Sequence, residues 1–284
     1  CNSLAIYTSI FCTVLITLNF YIYTKIMEKV LKGILKYRNS IRIKDLKKLV
    51  RTEKELKPQV VFFTCMDNRV LPTKITSTDV GDMYIVRNAG NLVPHSNNYS
   101  PLTPSTEPAA LQLGCILQGV KHVVVCGHSD CKAMKGLHGL QTVGDEAPGF
   151  ALAELEINPM KAWLYNYGAS SLRKFKQLEM GQFKHPLIFQ AETPMRNFIA
   201  YIDPENKLSI HDKLSQVNCL QQLQNIASYS FLKEPLMNGK IFLHAIWYDV
   251  NVEEFQYFSR KKKRFVEISE ESYEGLMEEV LTFV

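Results

Sequence analysis

Three short runs, 60–63 (VVFF), 83–87 (MYIVR) and 122–126 (HVVVC), are apolar almost throughout and rich in β-branched and aromatic residues. A strand with one wet face alternates apolar and polar positions, so this near-continuous hydrophobicity predicts strands buried on both faces, as in a parallel sheet. Between the second and third runs, STEPAALQLGCILQG predicts a helix, with Ser105 or Thr106 as cap, Pro108 in the first turn and Gly119 at the end. The result is a β-α-β unit. Upstream, from Met27 to about Leu56, Val30, Leu31, Ile34 and Leu35 recur at helical spacing among lysines and predict an amphipathic helix. Downstream, 150–180 and 209–234 predict helices, and HPLIFQAETP between them leaves room for a strand. KIFLHAIWYDV, EFQYFSR and RFVEI then predict strands, and SEESYEGLMEEVL a closing capped helix. With no internal repeat or low-complexity linker, the economical organisation is one α/β domain over 27–284 behind an apolar segment, 1–26.

Residues 1–24 carry no charge, and a run of about 20 apolar residues suffices to span a bilayer. One reading is a membrane or targeting segment, with Lys25, Lys29, Lys32 and Lys36 keeping the rest cytosolic. The other is translation from upstream of a soluble start at Met27. A mitochondrial or cytoplasmic location follows for the domain, anchored to a membrane only if residues 1–24 are a genuine span. No basic region precedes the apolar run, as a secretory signal would require.

The 284 residues carry a formal charge of +5 from 33 basic and 28 acidic side chains. The one basic cluster, SRKKKR at 259–264, lies between two strand-like runs and reads as a solvated hairpin turn, so no nucleic-acid partner is expected. Seven cysteines, at 1, 12, 65, 115, 126, 131 and 219, are odd in number and irregular in spacing, unlike a disulfide framework. Cys115, Cys126 and Cys219 sit in apolar patterns and read as core thiols. Cys65 and Cys131 differ, because polar groups surround them at the ends of strand-like runs.

The first strand leads into Cys65, Asp67 and Arg69, and the third into His128 and Cys131. Functional groups of a doubly wound sheet gather beyond the carboxyl ends of its strands, which brings these two clusters together. Two thiolates and an imidazole suit zinc, and three protein ligands leave a fourth position for water, a catalytic type of site. Asp67 either fills that position or stays off the metal. A guanidinium fork from Arg69 would hold it off and keep it ionised. If Cys131 opens a helix, the helix N-terminus favours its thiolate.

The pattern C-x-D-x-R followed by H-x-x-C, carried by Cys65, Asp67, Arg69, His128 and Cys131, resembles the β-class carbonic anhydrases. The similarity continues through GDMYIVRNAGNLVP (81–94), EPAALQLG (107–114), CGHSDCKAM (126–134), LSQVNCLQQLQNIASYSFL and LHAIWYDV, so it covers about Met27 to Ile268. MEKVLKGILKYRNS and AETPMRNFIAYIDPENK look like the animal, especially insect, branch. The resemblance implies a four-stranded parallel sheet extended by an antiparallel strand and flanked by helices. It further implies reversible hydration of carbon dioxide to bicarbonate and a proton by zinc-bound hydroxide. Cys65, His128 and Cys131 would hold one zinc ion per subunit, Asp67 and Arg69 would form the dyad that orients the zinc water, and Asp67 would become a fourth ligand in closed forms. The backbone N–H of Gly90 would lie near the substrate. A homodimer or larger homo-oligomer is implied, with the N-terminal helix clasping the partner subunit.

Three positions depart from the family pattern. Phe62 stands where closed-type enzymes carry Trp, which favours an open resting site; Asp79 replaces a substrate-contacting Gln of plant-type enzymes; Lys132 replaces the commoner Gly after the second cysteine ligand. Two rival readings remain distinct in outcome. A thiol oxidoreductase using Cys126 and Cys131 would work without metal, and a non-catalytic zinc scaffold would hold metal without hydrating carbon dioxide.

Overall fold

A six-stranded sheet with strand order β2-β1-β3-β6-β7-β8 forms the centre of the fold. The computed structural model describes residues 25, 27–41, 58–140, 155–190 and 197–282. The chain divides into two units, 1–56 and 57–284. In the first, 27–36 is helical and runs into a wider turn at Tyr37–Ile41. Val30, Leu31, Ile34 and Leu35 make the expected apolar stripe, all exposed, and Glu28 pairs with Lys32 one turn on. The expected continuation to Leu56 and the apolar segment 1–24 lie outside the described residues. Among the described residues, no helix is long and apolar enough to cross a membrane.

In the second unit β1 (Val60–Cys65), β2 (Met83–Asn88), β3 (His122–His128) and β6 (Phe242–Asp249) are parallel. β7 (Glu254–Ser259) and β8 (Arg264–Glu267) extend the sheet as an antiparallel hairpin, so the extension is two strands rather than one. Its turn carries the exposed Lys261, Lys262 and Lys263, the solvated hairpin expected of the basic cluster.

β1 and β3 are buried on both faces, as their continuous hydrophobicity requires. Val61, Phe63, Val123 and Val125 join the main core, while Phe62, Val124 and Cys126 pack on Val70 and Tyr248 on the other side. β2 reads the same in sequence, but its place at the sheet edge leaves Ile85 exposed. A separate two-stranded ribbon pairs β4 (Leu187–Phe189), where the sequence left room for a strand, with β5 (Phe198–Ala200), which it did not suggest.

Besides a short helical turn at Pro72–Ile75, the main helices among the described residues of this unit are α1 (Thr106–Leu111), α2 (Lys132–Gly139), α3 (Pro159–Met180), α4 (Ile210–Ala227), α5 (Ser230–Met237) and α6 (Glu270–Thr282). α1 opens at Ser105 and widens over Gln112–Leu117. Gly114 in that widened stretch presses on β1, where a Cβ would meet Val61 Cγ2 at 2.5 Å. α4 lies along β3 and β6 and packs on α3. Fully burying one core side chain such as Phe63 or Phe175 contributes about 1.5–3 kcal/mol.

At the amino-terminal end of β3 and β6, far along the strands from Cys65, His122 Nδ1 lies 3.0 Å from His244 Nε2, and His244 Nδ1 lies 2.9 Å from the Tyr257 hydroxyl. Burial pushes His244 down to about 4, helped by His122 and Arg260, from an ordinary value of 6.5. Above pH 6.5 this imidazole is neutral folded or unfolded, so it adds no pH dependence. As pH falls towards 4 only the unfolded chain gains the proton, and stability drops by a few kcal/mol at most. Chemical denaturation from pH 7 to 4 should therefore show a loss of stability whose slope is reduced in His244→Gln.

Candidate metal centre

β1 and β3 are neighbours in parallel register, Val60 opposite His122 and Thr64 opposite Cys126, so their carboxyl ends emerge side by side. Cys65 ends β1, His128 ends β3, and Cys131 is the N-cap of α2, which confirms the expected helix start. One donor atom from each of these three residues lies within 4.8 Å of the other two, and all three side chains are buried. The Cys65 and Cys131 sulfurs are 3.9 Å apart. Two thiolates on one tetrahedral zinc would be about 3.8 Å apart, from Zn–S bonds of about 2.3 Å.

The imidazole supplies a second test of fit. His128 Nδ1 lies 2.7 Å from the Ser129 carbonyl oxygen, which can only accept, so Nδ1 carries the hydrogen. Nε2 is thereby left as a bare acceptor, buried and without a hydrogen-bond partner. An unsatisfied buried acceptor costs about 1–3 kcal/mol, a penalty that a metal bond removes. The thiols point the same way. The hydrogen bond from Cys131, with that from the Gly90 N–H, holds Cys65 below the ordinary thiol range against burial. Cys131 moves up, because of Cys65 and burial, despite the Met134 and Ala133 N–H groups at the start of α2. Both sulfurs become anionic together only with a cation between them. The donor set and spacing fit zinc.

Asp67 is turned away from this cluster. Arg69 Nε donates to Asp67 Oδ1 at 2.9 Å, Nη2 to Oδ2 at 2.8 Å and the Arg69 backbone N–H to Oδ1 at 2.9 Å. These bonds, above all those from the guanidinium, hold the carboxyl far below the usual carboxylate range. Arg87 ties down the same loop by donating to the Cys65 and Asp67 carbonyls at 3.1 and 2.7 Å. Gly90 also reaches the site, with its N–H donating to Cys65 Sγ at 3.4 Å.

The supports of this site come largely from α4. Ser215 Oγ donates to the His128 carbonyl, Asn218 Nδ2 to the Gly90 carbonyl, and Asn225 Nδ2 to the Val93 carbonyl, while Gln222 Oε1 accepts from the Val93 N–H. Trp163 Nε1 holds the Ala89 carbonyl at 2.9 Å. Sequence reading passed over all of them. The signal that could have found them is the recurrence of polar residues at 215, 218, 222 and 225, a helical spacing that forms one buried stripe.

A largely parallel α/β sheet with a buried Cys-His-Cys cradle at its carboxyl edge defines a candidate metalloenzyme. Residues 60–254 match the family model described as carbonic anhydrase. Beta carbonic anhydrase 1 of Caenorhabditis elegans is 42% identical over 263 residues, covering 89% of this chain and 93% of that protein. Among solved structures, the β-carbonic anhydrase CcaA is similar with a TM-score of 0.65 and 23% identity, covering 85% of this chain and 99% of that one. A tetrameric β-carbonic anhydrase of Sordaria macrospora is similar with a TM-score of 0.52 and 16% identity, covering 85% and 98%. The chain belongs to the β-class carbonic anhydrases.

Gly90 has φ +84°, and a Cβ there would lie 2.9 Å from Met134 Cε and 3.1 Å from Ala133 Cβ. Gly90→Ala should cost about 1–3 kcal/mol by strain and overpacking, read by chemical denaturation.

Proposed function

We propose that this chain catalyses the reversible hydration of carbon dioxide to bicarbonate and a proton, with one zinc ion per chain held by Cys65, His128 and Cys131. The observation that carries the reading is the bare, buried Nε2 of His128, set against two sulfurs 3.9 Å apart in a chain of this family. When bound, zinc supplies Lewis-acid activation, bringing the pKa of a water to around 7. Three protein donors leave one position free for it.

The remaining work falls to the chain's own side chains. Cys65 and Cys131 bring the negative charge that holds the cation, and the Ser129 carbonyl fixes the His128 tautomer that presents Nε2. Asp67, kept ionised by Arg69, can accept a hydrogen bond but cannot donate one, and so orients an O–H group presented at the free position. Its two oxygens are both bound by Arg69 in this conformation, which supports an open rather than a closed resting site. Gly90 borders the place of the substrate. Its N–H already donates to sulfur, so its part is to leave room, having no side chain, more than to act as a donor. A homo-oligomer is the assembly this reading favours, in keeping with the tetrameric relative.

Stopped-flow hydration of carbon dioxide, together with metal analysis, tests the proposal. About one zinc per chain should be found, and activity should vanish on chelation and return with zinc. His128→Ala and Cys131→Ser should lose both metal and activity. Asp67→Asn should keep the metal and lose about 10–100-fold in kcat/KM. Full activity in the metal-free protein would overturn the mechanism, and unchanged activity in Asp67→Asn would overturn the role of the Asp67 and Arg69 pair.

A further inference from the structure

Asp130 lies between His128 and Cys131 but is not one of the three clustered donors. Its backbone is left-handed, with φ +52°, a conformation that glycine adopts more readily and that aspartate tolerates better than most other residues. The side chain therefore occupies a position where the backbone would favour having none. Its Oδ2 accepts from Arg69 Nη1 at 2.9 Å, and its carbonyl accepts from Arg69 Nη2 at 3.2 Å. Its Oδ1 accepts from Lys135 Nζ. The turn itself is anchored, because the Asp130 N–H donates to Asp212 Oδ1 at 2.7 Å, and Asp212 Oδ2 accepts from Ser209 Oγ at the start of α4.

Arg69 is thus gripped on two edges, by Asp67 on one and by Asp130, 61 residues away in sequence, on the other. We propose that Asp130 is a positioning residue: by clamping the far edge of the Arg69 guanidinium, it keeps that fork seated on both Asp67 oxygens and so keeps Asp67 off the metal. The proposal rests on the reading of the metal site given above. Arginine has many rotamers, and a second anchor on the guanidinium removes those in which the fork leaves Asp67. Two cations, Arg69 and Lys135, balance two carboxylates, Asp67 and Asp130, so the clamp adds no net charge beside the cradle. Arg69 and Asp130 are 38% and 39% exposed, and exposed ion pairs add little to folding stability. The effect belongs to the state of the site, not to the fold.

The test uses the cobalt-loaded enzyme, whose visible spectrum reports whether water or a carboxylate occupies the fourth position, alongside stopped-flow activity of the zinc form. Asp130→Gly suits the positive φ and removes the clamp. Asp130→Asn tolerates the same backbone and retains an acceptor for Arg69. Asp130→Gly should move the spectrum towards carboxylate ligation and lower kcat/KM about 10-fold, with Tm unchanged. Asp130→Asn should stay near wild type. In an Asp67→Ala background, Asp130→Gly should leave the spectrum unaltered, since no carboxylate is there to be released. Asp130→Ser supplies the truncation should the glycine variant fail to fold. A wild-type spectrum in the folded truncation, or the same spectral change with and without Asp67, would overturn the proposal. Failure of the metal-site reading is recognised separately, by wild-type protein that binds neither zinc nor cobalt at the cradle or by Asp67→Asn with undiminished activity.

Discussion

The parallel pairing of β1 with β3 places Cys65 and His128 side by side, and every other feature of the site depends on it. Side chains alternate across a sheet, so a slip of one residue would exchange the two faces of β1. Val61, Phe63 and Cys65 would leave the main core, and Phe62 and Thr64 would enter it. Burial of β1 on both faces makes that exchange costly, because each face fits its own neighbours. The register is further pinned by Thr64 Oγ1, which is buried and donates to the Cys126 carbonyl across the strand pair. The hydrophobic effect, acting on residues with no chemistry of their own, thus sets the distance between two of the three candidate metal donors.

The cradle also depends on polar groups that water cannot reach. The 88–93 loop carries carbonyls and N–H groups that need partners once buried, and α4 supplies them from one stripe of Asn and Gln side chains. The same helix reaches the end of β3, where Ser215 accepts from Trp247 Nε1 and donates to the His128 carbonyl. α4 therefore holds both walls of the site, the loop at Gly90 and the strand end at His128. Sequence distance hides this role, since α4 starts more than 80 residues after His128.

What the sequence made legible follows the range of the forces involved. β1 and β3 could be read because burial on both faces leaves a continuous apolar run, and Cys131 because a helix start has local signs. The three candidate ligands were legible because each sits within a few residues of such a run. β2 misled in one respect: its apolar run is that of a buried strand, yet it lies at the sheet edge, and strand order is not written in the strand itself. β5 escaped because three residues carry too little pattern, and its pairing with β4 is a tertiary event. Asp130 escaped for a similar reason. Beside a serine in a tight turn it reads as turn chemistry, and only the fold brings Arg69 to it.

The position of Arg69 bears on what kind of switch this site can be. Asp67 is held ionised by Arg69 far into acid, so its departure from the guanidinium would not be a protonation event at its own carboxyl. The carboxylate would instead exchange one cationic partner for another, Arg69 for the metal, and remain charged throughout. The balance then turns on geometry: how firmly the fork is held and how much space the cradle leaves. Phe62 belongs to the second factor. It packs with Val70, Val124, Cys126 and Tyr248 on the face of β1 opposite Cys65 and offers no hydrogen-bonding group there. A tryptophan at that position would add an indole N–H donor to this cluster. With phenylalanine, this position adds no polar group to compete for the loop carrying Asp67, which Arg69 and Arg87 hold by their hydrogen bonds.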